Sequence, residues 1–200
     1  METRSRARST RRLIRPGLVA LLLALALSAS SAVAAPPVYR IDHVSDGDTV
    51  ALRNGQRVRL VQIDTPEVFF GRECYGRAAS LRTKPLLPPG ARVRLFPEPA
   101  TDRVDRYGRL LRYVVRVRDG VNVNIRLVAV GAAAPYSYRH RRGKYANRLE
   151  ALAKRARASK LGLWRACPRT PYNPTRRSER GDRSKLEKTK RSHEDLERTA

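Results

Sequence analysis

From residue 38 onward the chain alternates between short apolar or β-branched runs and turn signals. Val38 to Val44 has strand-like β-branched content and runs into the turn signature Ser45-Asp46-Gly47-Asp48, after which a second strand starts at Thr49. Asn54-Gly55 separates Val50-Ala51-Leu52 from the alternating segment Val58-Arg59-Leu60-Val61-Gln62-Ile63, a strong short-range hairpin signal. These three strands predict a meander. Glu73 to Leu87 is compatible with a helix until Pro85, and Pro88-Pro89-Gly90 then stops it before a strand over Ala91 to Phe96. Leu110 to Val117 reads as a further strand turned by Asp119-Gly120. Asn124 can cap the apolar stretch Ile125 to Val130, which Gly131 ends, and Tyr145 to Lys160 reads as a longer helix ending near Gly162.

Five short strands, with a helix after the third and two helices at the end, suit an α+β domain: a five-stranded OB-fold β-barrel with three helices. The order alone is also compatible with other α+β folds. The ends read differently. Six arginines up to Arg15 precede the apolar run Leu18 to Ala29 and the small residues Ala32-Val33-Ala34, so residues 1–34 are expected to be a signal peptide cut after Ala34. Thr10-Arg11-Arg12-Leu13-Ile14 hints at twin-arginine export without deciding the route. The domain is expected over 36–168, and 169–200 as a disordered charged tail, because from Thr175 onward only Leu186 and Leu196 are strongly apolar. The protein is therefore expected to be secreted, extracellular or held at the cell wall, monomeric, and without stable membrane association after processing.

Charge narrows the partner. The formal net charge is +25, and most of it falls between the two end segments. A field of that sign draws in polyanions, nucleic acid first. Cys74 and Cys167 form an even pair in an exported chain, which favours a disulfide over a thiol or metal site.

Chemistry concentrates in a few carboxylates and arginines. Asp48 follows a glycine in a tight turn, and Asp64, Thr65 and Glu67 cluster where the third strand ends at Pro66, so a meander could bring Asp48 beside them. Oxygen donors of this kind, with the Thr65 carbonyl or hydroxyl, suit a hard cation such as Ca²⁺, and gathered acids would repel one another without one. Each piece alone has a plain use: Asp46-Gly47-Asp48 as a turn, Asp64-Thr65-Pro66-Glu67 as a helix-capping segment, Arg59 and Arg109 as solvated bases. His43, His140 and His193 lie in a strand, an arginine-rich run and the tail, so no histidine pair is placed for acid–base work.

Together the pieces resemble the staphylococcal nuclease, or thermonuclease, family. Ser45-Asp46-Gly47-Asp48-Thr49 is similar to its first motif, Arg59 through Glu67 to its second, and Asp105-Arg106-Tyr107-Gly108-Arg109 to its third, in matching order from about Val38 to Trp164. The resemblance implies Ca²⁺ bound by Asp48, Asp64 and the Thr65 carbonyl, and Glu67 orienting or deprotonating the attacking water. It implies Arg59 and Arg109 on the scissile phosphate, Tyr107 at a terminal phosphate or sugar, and Tyr136 and Tyr138 lining the pocket. DNA and RNA would be substrates, cleaved to 3′-phosphate and 5′-hydroxyl ends. Two features depart from the staphylococcal enzyme: Val68 to Arg72 is shorter than its mobile loop, and the cysteine pair is absent there. Pro135 also constrains the backbone immediately before Tyr136.

Overall fold

The computed structural model describes residues 36–68, 73–138, 141–170 and 172. The expected signal peptide, residues 173–200, His140 and His193 lie outside the described residues, as does 69–72 within the shortened loop. Five strands close a barrel: β1 Val38–Val44, β2 Thr49–Leu52, β3 Arg57–Leu60, β5 Arg92–Pro97 and β6 Leu110–Arg116, in the order β1-β2-β3-β6-β5. β1 closes on β5 antiparallel, and β3 pairs β6 in parallel, Val58 opposite Leu110 and Leu60 opposite Arg112. A two-stranded ribbon joins β4 Ile63–Asp64 to β7 Ala134–Pro135. The helices are α1 Gly76–Thr83, α2 Val123–Ala129, α3 Ala146–Ala158 and the single turn α4 Leu163–Ala166. The OB-fold barrel of the α+β class is present, with one short helix more than the three expected. Among the described residues no helix is long and apolar enough to cross a membrane.

Alternation explains the barrel core. Ile41, Val50, Leu52, Val58, Leu60, Val93 and Val114 point inward and are fully or almost fully buried, and Leu127, Leu149 and Leu163 of the helices join the same cluster. The hairpin forms at Asn54-Gly55 as the pattern required: Gly55 has φ 82°, its N–H donates to the Leu52 carbonyl at 2.9 Å, and Leu52 N–H donates to the Gln56 carbonyl at 2.8 Å.

Three boundaries depart from the pattern, each for a tertiary reason. The alternation predicts a third strand running through Ile63, but Gln62 has φ 62° and ends the ladder, so Ile63 and Asp64 leave the barrel to pair with Pro135 and Ala134. Helix α1 starts at Gly76 rather than Glu73, because Cys74 is held in a disulfide and Tyr75 has φ 74°. The cap of α2 is Asn122, whose side chain accepts from Ile125 N at 3.2 Å; it is not Asn124. Asn124 is instead fully buried, accepting from Val114 N at 3.0 Å and donating to Val61 O at 2.8 Å. It satisfies backbone groups where the parallel β3–β6 ladder runs out.

A buried polar network holds the Gln62 turn. The Tyr113 hydroxyl lies 2.6 Å from both Gln62 Oε1 and Glu98 Oε2. A hydroxyl has one proton, and Glu98, which also accepts from the N–H groups of Ala100 and Lys144, is the stronger acceptor. Gln62 Oε1 shares that hydroxyl with Glu98, while its Nε2 is buried without a hydrogen-bond partner among the described residues. Burial raises the Glu98 pKa, but the hydrogen bonds from Tyr113, Ala100 and Lys144 more than offset it, leaving it below the ordinary carboxylate value.

Candidate active site

The site is assembled at one rim of the barrel from three stretches that are separate in sequence. The turn after β1 is built by Asp46, whose carboxylate accepts from Asp48 N at 3.0 Å. Gly47 is required by a close approach: a Cβ there would come within 2.5 Å of Thr65 Oγ1. From the other side, Thr83 of α1 donates its hydroxyl to the Gly47 carbonyl at 2.6 Å. Asp48 is thereby driven into the interior, 0% exposed.

A buried carboxylate needs partners, and Asp48 has four. Its Oδ2 accepts from Thr65 N at 2.8 Å and Thr65 Oγ1 at 2.9 Å, and its Oδ1 accepts from Thr49 Oγ1 at 3.4 Å and from Arg59 Nη1. Arg59 Nη2 donates to Asp64 Oδ1 at 2.6 Å, so one guanidinium spans both carboxylates. Burial lowers the Arg59 pKa, yet the carboxylates of Asp64, Asp46 and Glu67 outweigh it and hold the charge more firmly than in water. The same balance places Glu67 within electrostatic reach of Arg59. The structure thus brings together Asp48, Arg59, Asp64, Thr65 and Glu67.

Thr65 keeps both of the oxygens considered for a cation. Its hydroxyl donates to Asp48 Oδ2 at 2.9 Å, which uses the proton and leaves the oxygen lone pairs. Its carbonyl accepts from the Tyr172 hydroxyl at 3.1 Å. A carbonyl has a second lone pair, so that contact does not exhaust it.

The third motif forms a turn of its own. Asp105 Oδ1 accepts from the N–H groups of Tyr107 and Arg109, both at 2.9 Å, while Oδ2 accepts from Arg109 Nε at 2.7 Å. Gly108, with φ 74°, lets the chain reverse. Arg109 Nη1 donates to Thr49 Oγ1 at 3.4 Å, which joins this turn to the Asp48 cluster through one hydroxyl. Tyr107 is 55% exposed, with the guanidinium carbons of Arg106 and Arg109 4.8 and 5.1 Å from its ring centre. Tyr136 follows β7, and its N–H donates to the Gln62 carbonyl at 2.9 Å; Tyr138 lies two residues further on, partly exposed. The ribbon runs from Ala134, opposite Asp64, toward Gln62, so the backbone of Tyr136 lies at the end of the ribbon away from Asp64.

Sequence reasoning gave no role to Asp105, Thr83, Glu73 or Tyr172. The Asp-x-x-Gly spacing of a turn could have pointed to Asp105. Nothing local marks the other three. Cys74 and Cys167 form the expected disulfide across a sequence separation of 93 residues. Ordered contacts continue past the boundary expected at 168: Thr170 N donates to the Cys167 carbonyl, and Tyr172 packs on the core.

A closed five-stranded barrel with two carboxylates clamped on one arginine, and a second arginine aimed at the same rim, defines an OB-fold protein with an acid–arginine centre. The family model described as "Staphylococcal nuclease homologue" matches residues 57–166, and the chain belongs to that family. It is 35% identical over 130 residues to "Endonuclease YncB" of Bacillus subtilis, covering 62% of this chain and 60% of that protein. It is also 35% identical to the "SPbeta prophage-derived endonuclease YokF" of the same organism, covering 43% of that protein, and 36% identical over 132 residues to the "Thermonuclease" of Staphylococcus intermedius, covering 75% of it. The chain thus spans less than two thirds of the length of the two Bacillus subtilis relatives.

Proposed function

We propose that this protein is a secreted, calcium-dependent nuclease that hydrolyses phosphodiester bonds of DNA and RNA to products with 3′-phosphate and 5′-hydroxyl ends. The observation that carries the reading is the single Arg59 guanidinium shared by Asp48 and Asp64, with Arg109 joined to the same cluster through Thr49. An OB barrel needs none of these groups to fold, and phosphodiester hydrolysis needs an activated water and positive charge on the phosphate oxygens, which carboxylates and arginines together can supply. Family membership and the endonuclease names of the relatives support the same reaction class.

Among the described residues, no group of three or more His, Cys, Asp or Glu side chains is placed to hold a metal. The donor type fits a hard cation that keeps several waters: the carboxylates of Asp48 and Asp64, paired here with the Arg59 guanidinium, and a carbonyl with a spare lone pair. Asp48, Asp64 and the Thr65 carbonyl would hold Ca²⁺. Bound there, it supplies positive charge to the scissile phosphate and favours ionisation of nearby water.

The chain's own groups do the rest. Arg59 and Arg109 present planar forks that match phosphate oxygens and stabilise the charge that builds on them, Arg109 being placed beside the leaving 5′ oxygen. Glu67 accepts a hydrogen bond from the attacking water, orienting it or taking its proton. Tyr107 borders Arg109 at the exposed side and suits the terminal phosphate or sugar. Tyr136 and Tyr138 line the path of a neighbouring nucleotide. The positive charge concentrated between the two end segments draws the polyanion in, so binding by a Glu67→Gln variant should weaken steeply as salt rises. The Cys74–Cys167 disulfide supports an oxidising compartment, consistent with export.

The test is incubation of the purified protein with plasmid DNA and with total RNA, in Ca²⁺ or in chelator. Cleavage of both in Ca²⁺ alone, giving ends that a polynucleotide kinase labels without prior phosphatase, is expected. Full activity in chelator removes the metal from the reading, and ends that accept label only after phosphatase reverse the assigned polarity.

A further inference from the structure

Tyr172 is a group that the chemistry above does not use, and its hydroxyl reaches the heart of the site. It lies beyond α4, half-buried, with the hydroxyl 3.1 Å from the Thr65 carbonyl and 2.9 Å from Glu73 Oε2. Both are acceptors, so the single phenolic proton is shared between them. The same Glu73 oxygen accepts from Glu67 N at 3.0 Å, and Glu73 N returns a bond to the Glu67 carbonyl at 3.1 Å. Glu73 therefore joins the chain beyond the last helix to the backbone of Glu67.

Covalent structure keeps this bridge together. Cys74 follows Glu73 directly, and Cys167 stands five residues before Tyr172, so one disulfide tethers both ends of the contact. Between them, Thr170 N donates to the Cys167 carbonyl at 3.0 Å and Tyr172 N to Thr170 Oγ1 at 3.3 Å, folding the chain back toward the rim. On the opposite side Gly76 packs against the Glu67 carbonyl so closely that a Cβ would collide with it. Glu67 is thus gripped through its backbone, by Glu73 and by the start of α1.

We propose that Tyr172 is a positioning residue for the Glu67 segment: through Glu73 and the Thr65 carbonyl its hydroxyl holds the backbone of Glu67 in register with Arg59 and the Asp48–Asp64 pair, and the Cys74–Cys167 disulfide keeps it docked. The inference rests on the nuclease reading of this site. It makes residues up to at least 172 part of the functional domain, and it makes the disulfide a requirement for turnover as well as for stability.

The experiment uses the full chain with Tyr172→Phe, which keeps the ring and removes only the hydroxyl. Cleavage of plasmid DNA is followed as kcat and KM separately, and hydrogen exchange of the Glu67 amide is followed by NMR. The expected result is a fall of about tenfold in kcat with KM changed by less than about twofold, and faster exchange at Glu67. A Cys74→Ser/Cys167→Ser double variant, which leaves Glu67 and Glu73 in place, should reproduce both effects; if Tyr172→Phe does not fold, Tyr172→Leu, which also lacks the hydroxyl, is read by the same two measurements. Wild-type kcat with wild-type protection of the Glu67 amide overturns the proposal, and so does a lower melting temperature with kcat unchanged. If the wild-type protein cleaves nothing, the nuclease reading fails, and the exchange measurement alone decides whether Tyr172 holds Glu67.

Discussion

The Asp48 cluster and the Asp105–Arg109 turn both hold an arginine for the same rim, but they do it by opposite means. In the cluster, Asp48 and Thr65 are almost wholly buried, their mutual bonds span 17 positions in sequence, and each partner is satisfied only when the barrel has closed. In the turn, Asp105 and Arg109 are four residues apart, and the bonds that orient Arg109 form within the same reversal of the chain. One arginine is thus held by tertiary structure and the other by local chemistry. The difference teaches that activity and stability should be coupled in the first region and separable in the second.

The hardest test of the contrast is Asp48→Ala. Cleavage is expected to fall by at least about 10³-fold, because a carboxylate at the centre of the charge arrangement is lost. The orphaned N–H and hydroxyl of Thr65 should also cost about 1–3 kcal/mol of stability, read from the urea midpoint, while the barrel stays folded. Asp64→Ala should match the loss of cleavage. Should Asp48→Ala leave stability untouched, the cluster is not a buried unit.

Lysine at each arginine comes next. Arg59→Lys and Arg109→Lys should each lower kcat by about 10²-fold, since an ammonium cannot reproduce the planar fork. Only Arg59→Lys should also lower the melting temperature, because Arg59 alone bridges two carboxylates. Equal melting temperatures for the two variants would erase the distinction.

Asp105→Asn sharpens the other half. The amide keeps an acceptor for the turn N–H groups but removes the charge that faces Arg109 Nε, so kcat should drop about tenfold at nearly constant melting temperature. A fall in stability comparable to that of Asp48→Ala would show that the turn is not autonomous. The smallest effect is expected from Tyr107→Phe: its hydroxyl accepts from Arg106 at the surface, and kcat/KM should stay within about threefold of wild type.

The same division between local and long-range chemistry explains which features are legible in the sequence. Val50, Val58 and Leu60 alternate because a strand buries every second side chain, so the barrel strands can be read to within a residue or two except at the end of the third. Asn54-Gly55 fixes its own turn. Asn124 misleads because capping preference is a local rule, and the demand on that side chain comes from Val61 and Val114, the first of them far away in sequence. Gln62 misleads for a related reason: its left-handed backbone ends the third strand, and carries Asp64 out of the barrel, at a position where an alternating pattern gives no warning. Asp48 is found through its motif although it lies outside the stretch 57–166 matched by the family model, and its burial becomes visible only when β2 pairs with β3.

Strand alternation, the hairpin at Asn54-Gly55 and the residues on which chemistry could fall were legible from residue type and short spacing, and the disulfide partners from there being two cysteines. Long-range folding alone sets the sharing of Arg59 by Asp48 and Asp64, the bond from the Thr65 hydroxyl to Asp48, and the chain of contacts from Tyr172 through Glu73 to the Glu67 backbone. The physical reason is that a buried polar group takes whatever partner the closed fold brings to it, and between Thr65 and Tyr172 that partner lay 107 residues away.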